Sequence, residues 1–338
     1  MSEYLRKYWF VTLVAVILCG GLIYYIYDLN KDNVSAKTVD SKQVVASTTL
    51  GDVNADYIFD QYQNFNTSML YNMYRRAVID QTVEATSDME TEAKTMAKTI
   101  EANVKSDTTN KTKYSIMSEL ASYGFDGDNA LYDYCLMATK MEAMDEEYVK
   151  ANFETLKKEI NTNPRTISVI AINVANPSEL TDAEKTKKEN IDKALEKGDS
   201  FADTATAFSE DTATAAKKGY YGYVDSATTA LDASVVQAAL GLEKGKASDW
   251  ITVTDSKSGA SYLYKVQVDE TDLNAILDSE SKDVRKALIS SLLTADPTVD
   301  MKALQEKAKG LEIKWDNEEA KTKVEKYIND QLKGADNA

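Results

Sequence analysis

TISVIAINV, residues 166–174, follows Pro164 and joins β-branched to apolar residues with no helical period. It reads as a strand, and the next hundred residues take their order from it. Thr181 and Glu184 have capping-box spacing and start a helix that runs to about Lys197. Asp199 or Ser200 caps another helix, with Phe201, Ala205 and Phe208 on one face. GYYGYV, residues 219–224, is a short aromatic strand, and Asp232 begins a helix through Leu240. Trp250–Thr254 and Ser261–Val268 flank the turn DSKSG; in the second of these strands Tyr262, Tyr264, Val266 and Val268 share a face. Strand, helix, helix, strand, helix, strand, strand over residues 164–270 is one α+β domain.

Outward from this block the pattern is helical. On the N-terminal side, residues 51–163 carry five apolar stripes. These are Ile58, Tyr62, Phe65, Met69 and Met73, with Asp52 or Asn54 as cap; Met89, Ala93, Met96, Ile100 and Val104; Tyr114, Met117 and Leu120, ended by Gly124; Leu131, Cys135 and Ala138; and Val149, Phe153, Leu156 and Ile160. Asp145, Glu146 and Glu147 read as an acidic helix N-terminus. Met and Tyr are frequent here, as core packing or as a soft surface for unfolded chains. On the C-terminal side, Val284, Leu288 and Leu292 form one stripe, Leu304 and Ala308 another, and Val324, Ile328 and Leu332 the last. LEIKW, residues 311–315, alternates like a strand. Residues 271–335 are expected to pack back on the N-terminal helices, which leaves the middle domain as an insertion.

Residues 8–27, YWFVTLVAVILCGGLIYYIY, carry no charge and are long enough to cross a bilayer. Aromatic residues mark both ends, Arg6 and Lys7 precede, and Asp28 follows. The positive-inside rule puts residues 1–7 in the cytoplasm and the bulk of the chain outside a cell membrane. Cleavage as a signal peptide, or lipidation at Cys19, are the competing readings. Residues 28–50 are polar and read as a linker.

Among 338 residues there are 39 basic and 55 acidic side chains, a net charge of −16, and no histidine. The charge argues against nucleic acid and against lying along an anionic membrane. The lack of histidine removes Ser-His-Asp and Cys-His nucleophile systems and His-ligated zinc. Asp126–Asp128 is too short for a calcium loop. No metal or cofactor is expected.

Six segments give the middle block a family likeness: RTISVIAI, KTKKENIDKALEKG, DSFADTATAFSED, KKGYYGYV, SVVQAALGLEKGKASDWI and YLYKVQV. In order and spacing they resemble the parvulin-type (PpiC/rotamase) peptidyl-prolyl isomerase domain. The helical flanks resemble the chaperone lobe of PrsA-type and SurA-type foldases. The resemblance implies an α+β domain inserted in a helical lobe, and clients that are unfolded or newly exported polypeptides. Catalytic family members carry histidines at the positions of Val169 and Tyr262 here and a Cys or Asp at that of Asp211. Their proline pocket matches Tyr221, Leu231 and Val235. Three functions follow: a membrane-anchored foldase with a degenerate rotamase domain, an active isomerase with a histidine-free site, or a structural tether for a partner. A homodimer is compatible with each.

Overall fold

The computed structural model describes residues 37–39, 42–48, 51–54, 67–107, 111–125, 127–255 and 258–335. The apolar segment 8–27 and Cys19 lie outside the described residues. Among the described residues no helix is long and apolar enough to cross a membrane. The fold is mixed α+β, mainly helical, with small antiparallel sheets. It divides into two compact units, Glu146–Pro297 and the residues on either side of that span.

In the flanking unit, strands β1 (Lys37–Val39), β2 (Lys42–Thr48) and β3 (Gly51–Asn54) pair antiparallel in that order. This corrects the reading of residues 28–50 as plain linker, and it removes Asp52 and Asn54 as helix caps, because both lie in a strand. Helices α1 (Thr67–Thr82), α2 (Ser87–Lys105), α3 (Lys111–Ser122) and α4 (Ala130–Leu156) follow. Thr86 caps α2 through Met89, and Ala93, Met96 and Ile100 are buried as their stripe predicts. On α3 only part of the expected stripe turns inward: Leu120 is buried, while Tyr114 and Met117 are exposed.

Two of the expected helices are one. Helix α4 runs 27 residues without interruption, since no Gly or Pro breaks it and Ala, Met, Leu, Glu and Lys sustain helix well. Asp145 is therefore interior to a helix rather than at its start, and it is buried. The division between the units falls within α4, after Asp145.

In the other unit, Asn163 takes a left-handed turn and β4 (Arg165–Val174) begins. It is followed by α5 (Asp182–Glu196), α6 (Phe201–Phe208), the single turn α7 (Thr212–Ala215), β5 (Tyr220–Val224), α8 (Ala233–Leu240), β6 (Ile251–Thr254) and β7 (Ser261–Glu270). The Thr181–Glu184 capping box is formed, and Ser200 and Asp232 cap α6 and α8. The sheet order is β5-β4-β7-β6, all antiparallel. Central strand β4 is buried on both faces, which is why its sequence does not alternate. Ile167 and Val169 meet Val235 and Ala239 of α8 on one face. Ile170, Ile172 and Val174 meet Ile191 of α5 and Phe201 and Ala205 of α6 on the other. Arg165 joins strand to helix: its guanidinium donates to the Leu242 carbonyl at 2.8 Å and to Asn163 Oδ1 at 2.6 Å, beside the C-terminus of α8.

Helices α9 (Leu273–Leu277) and α10 (Lys282–Ala295) complete this unit, and α11 (Thr298–Ala308) and α12 (Glu318–Ala335) belong to the flanking one. The division after Pro297 differs from the expected boundary at 270. Its cause is local. The Ser291 hydroxyl on α10 donates to Asp225 Oδ2 at 3.1 Å just beyond β5, and it lies 2.8 Å from the Thr162 hydroxyl. Val284 of α10 faces Gly222 of β5, and Arg285 donates to Glu146 at 3.2 Å. Residues 311–315 form no strand; their alternation packs Trp315 against Tyr74 of α1, ring centroids 5.8 Å apart. Elsewhere in that unit α1 lies against α11 and α12, with Tyr71 and Tyr327 4.9 Å apart.

Candidate functional site

The register of β4 with β7 fixes the site. Val169 stands opposite Val266, Ala171 opposite Tyr264 and Asn173 opposite Tyr262. Val169 and Val235 are fully buried in one apolar cluster, and Tyr221, Leu231 and Tyr264 pack against it partly exposed. The structure thus brings together four of the six positions singled out in the sequence: Val169, Tyr221, Leu231 and Val235.

Tyr262 is not among them. It lies four register steps from Val169, about 13 Å at the rise of a strand. Its half-buried ring sits 6.0 Å from that of Tyr264, tilted by 49°. The two positions matched to family histidines therefore form no polar pair, and Val169 offers no polar atom. The sequence reading missed Tyr264. Its signal was the β7 alternation, which puts Tyr264 on the same face as Tyr262 and two residues nearer Val266.

Asp211 reaches the site from the other edge of β4. Beyond the end of β5, Glu210 N–H donates to the Ala171 carbonyl at 2.7 Å, and Ala171 N–H donates to Ser209 Oγ at 3.2 Å. Asp211 then caps α7, accepting from Ala213 N–H at 3.2 Å and Thr214 Oγ1 at 2.8 Å. Tyr221 is the extra residue of a β-bulge, since Ile167 pairs with Gly222 and Ser168 with Tyr220. Burial pushes the Tyr221 phenol up to about 12, with smaller contributions from Tyr264 and Asp211.

The aromatic strand distributes its three tyrosines to different surroundings. Tyr220 is raised by burial and by nearby Asp269, whose carboxyl burial lifts to about 6 while Ser168 donates to it at 2.8 Å. Tyr223 donates to Asp225 at 3.0 Å, and burial raises its phenol strongly. Of the three, Tyr221 packs against the cluster of Val169 and Val235.

At the surface of this cluster the partly exposed side chains are Tyr221, Leu231 and Tyr264, over Val169 and Val235, which are fully buried. Among the described residues no cluster of three or more acidic or thiol side chains could hold a metal ion. In the flanking unit a cavity of about 400 Å³ is lined by Tyr74, Ile313, Trp315, Val324 and Ile328, with Glu318 and Glu325 at hand. It contains none of the six candidate site positions.

Residues 170–262 match the family model described as Rotamase: PPIC-type PPIASE domain. This stretch is a rotamase domain of the PPIC type; it begins one residue after Val169 and ends on Tyr262. The chain is 29% identical over 201 residues to the foldase protein PrsA of Streptococcus sanguinis (strain SK36), covering 59% of this chain and 55% of that one. To the foldase protein PrsA of Streptococcus gordonii it is 32% identical over 168 residues, covering 49% and 48%. The chain thus spans about half the length of the curated relatives it matches. Among solved structures it is similar to the foldase protein PrsA from Streptococcus pneumoniae, at 21% identity and a TM-score of 0.38, covering 82% of this chain and 97% of that one. It is also similar to the peptidylprolyl isomerase (PrsA) from Bacillus cereus, at 19% identity and a TM-score of 0.32, covering 84% and 98%.

Proposed function

We propose that this chain is a foldase for exported polypeptides, held to the cell membrane by residues 8–27 with its N-terminus in the cytoplasm and its body outside. Its rotamase-type domain grips proline-containing segments instead of turning them over rapidly. One observation carries this reading. The apolar cluster of the rotamase domain is intact, with Tyr221 and Leu231 partly exposed over it, while the position matched to the first histidine is a fully buried valine. Rotation about an amide C–N bond must cross about 18–20 kcal/mol. A catalyst lowers that barrier only by binding the twisted state better than the planar ones. An apolar pocket binds the proline ring in both states alike, which gives affinity without rate.

The test is a refolding assay on the full chain, using an aggregation-prone client with no slow proline step. The chain is expected to suppress aggregation, and Leu231→Asp, which puts a charge in the groove, to weaken the effect. Refolding yields unchanged by the chain would overturn the reading. The anchor is tested by labelling: an impermeant thiol reagent should reach a cysteine placed at Ser35 on whole cells.

A second reading, bond rotation by a histidine-free site, draws support from Asp211 lying close enough to bear on the Tyr221 phenol. It predicts that the chain accelerates cis–trans exchange in a proline peptide and that Asp211→Ala weakens the acceleration. A flat exchange rate at high protein concentration removes it.

A further inference from the structure

The alternating residues 311–315, which form no strand, have another use in the flanking unit. Leu311, Ile313 and Trp315 all line its cavity of about 400 Å³, while Glu312 and Lys314 between them are exposed. Tyr74 of α1 lines it too, its ring inclined by only 22° to that of Trp315. The volume lies within the roughly 300–1,000 Å³ usual for a ligand cleft. Ile313 remains 41% exposed, so apolar surface is left facing solvent where the cavity opens.

The charges along the cavity do not cancel. They are Glu318, Lys321 and Glu325, all on α12. Lys321 pairs with Glu318 at 3.6 Å, and among the described residues no cation lies within ion-pair distance of Glu325. Burial raises the Tyr74 phenol, and the Glu325 charge adds to the rise, so this carboxylate and an aromatic side chain of the cavity are close neighbours. Two near-parallel aromatic rings beside one uncompensated carboxylate suit a planar cation. A guanidinium stacks on aromatic faces and pairs with a carboxylate through parallel N–H donors, whereas an ammonium offers only a compact point charge. The net charge of −16 draws basic segments toward the chain.

We propose that this cavity takes an arginine side chain of an extended client segment, with the guanidinium on the Trp315 and Tyr74 rings and against Glu325, and an apolar neighbour of that arginine on Ile313. The choice of a client as occupant rests on the foldase reading. The site is separate from the rotamase domain and needs no proline.

The experiment titrates the full chain with a blocked Leu-Arg-Leu peptide and reads the Trp315 indole resonance by NMR. A second peptide carries citrulline for arginine, which keeps the planar end and loses the charge. Arginine is expected to bind about fivefold to tenfold tighter than citrulline. Glu325→Gln should weaken the arginine peptide about threefold and leave the citrulline peptide unchanged. Glu319→Gln, at a carboxylate of the same helix that pairs with Lys323 at 2.7 Å, is the control and should change neither affinity. A thermal melt checks each fold. Equal binding of the two peptides, or an arginine preference untouched by Glu325→Gln, overturns the assignment; if the chain still suppresses client aggregation, the foldase reading stands without it. Arginine binding that depends on Glu325 in a chain that leaves refolding yields unchanged upholds the cation site and overturns the foldase reading instead.

Discussion

Gly219 shows what one residue controls. It takes φ +83°, and a Cβ there would stand 2.7 Å from the Ala205 Cβ and 3.0 Å from the Val169 carbonyl. Its own carbonyl accepts from Val169 N–H at 2.8 Å. Gly219→Ala would combine an unfavourable backbone angle with a collision between α6 and β4. It is expected to cost about 1–3 kcal/mol and to loosen the groove-facing bulge at Tyr221. Chemical denaturation measures the loss, and unchanged stability would contradict this account of the turn.

Asp145 is the clearest case where the sequence misled. Three acidic residues in a row suggested a helix start, but an uninterrupted run of helix formers carries α4 through them, and Asp145 is 5% exposed. Burial and the charge of Asp300 push its carboxyl up to about 8, against the opposing pull of Arg75, which is itself bound to Asp300. An unfolded aspartate titrates near about 3.9. Between those values the folded chain holds a proton that the unfolded chain has released, so stability falls as pH rises through this window. Asp269, lifted to about 6, adds to the lower half of the fall. Asp145→Asn should raise the melting temperature at pH 8 and flatten its decline between about pH 4 and 8, with a smaller gain at pH 5 than at pH 8. A decline of the same slope in the variant would contradict the shift.

At the scale of elements, legibility followed exposure of the pattern. The capped helices of the rotamase domain and the alternating strand β7 were readable because caps and period 2 are local signals. The single helix α4 was not, since two stripes on one long helix look like two helices when the face they bury rotates. Nor was the three-stranded sheet of residues 37–54, whose strands are short and carry only one brief apolar run, Val44–Ala46. The site was legible for its apolar floor and not for Tyr264, because which aromatic residue nears Ala171 depends on register. The placement of α10 turned on contacts far apart in sequence, Ser291 with Asp225 and Val284 with Gly222. Leu288, fully buried on α10, supplies its test. Leu288→Ala should cost about 2–5 kcal/mol and speed hydrogen exchange at β5 amides 220–224. Protection of β5 left intact would mean that α10 does not support the sheet.

For the whole molecule, the charge of −16 suits the proposed foldase, which would have to stay soluble while holding unfolded clients. Methionine divides between the two expected uses: Met96, Met137, Met144 and Met301 are buried in packing, while Met73 and Met117 are exposed. The central claim is that a rotamase-type domain lacking imidazole still grips polypeptide through its apolar groove. The most direct test is to add an unfolded, proline-containing polypeptide to the full chain and follow backbone resonances by NMR. The account predicts saturable shifts centred on Tyr221, Leu231, Val235 and Tyr264. A spectrum in which those four residues stay still as the polypeptide is added to excess would contradict it.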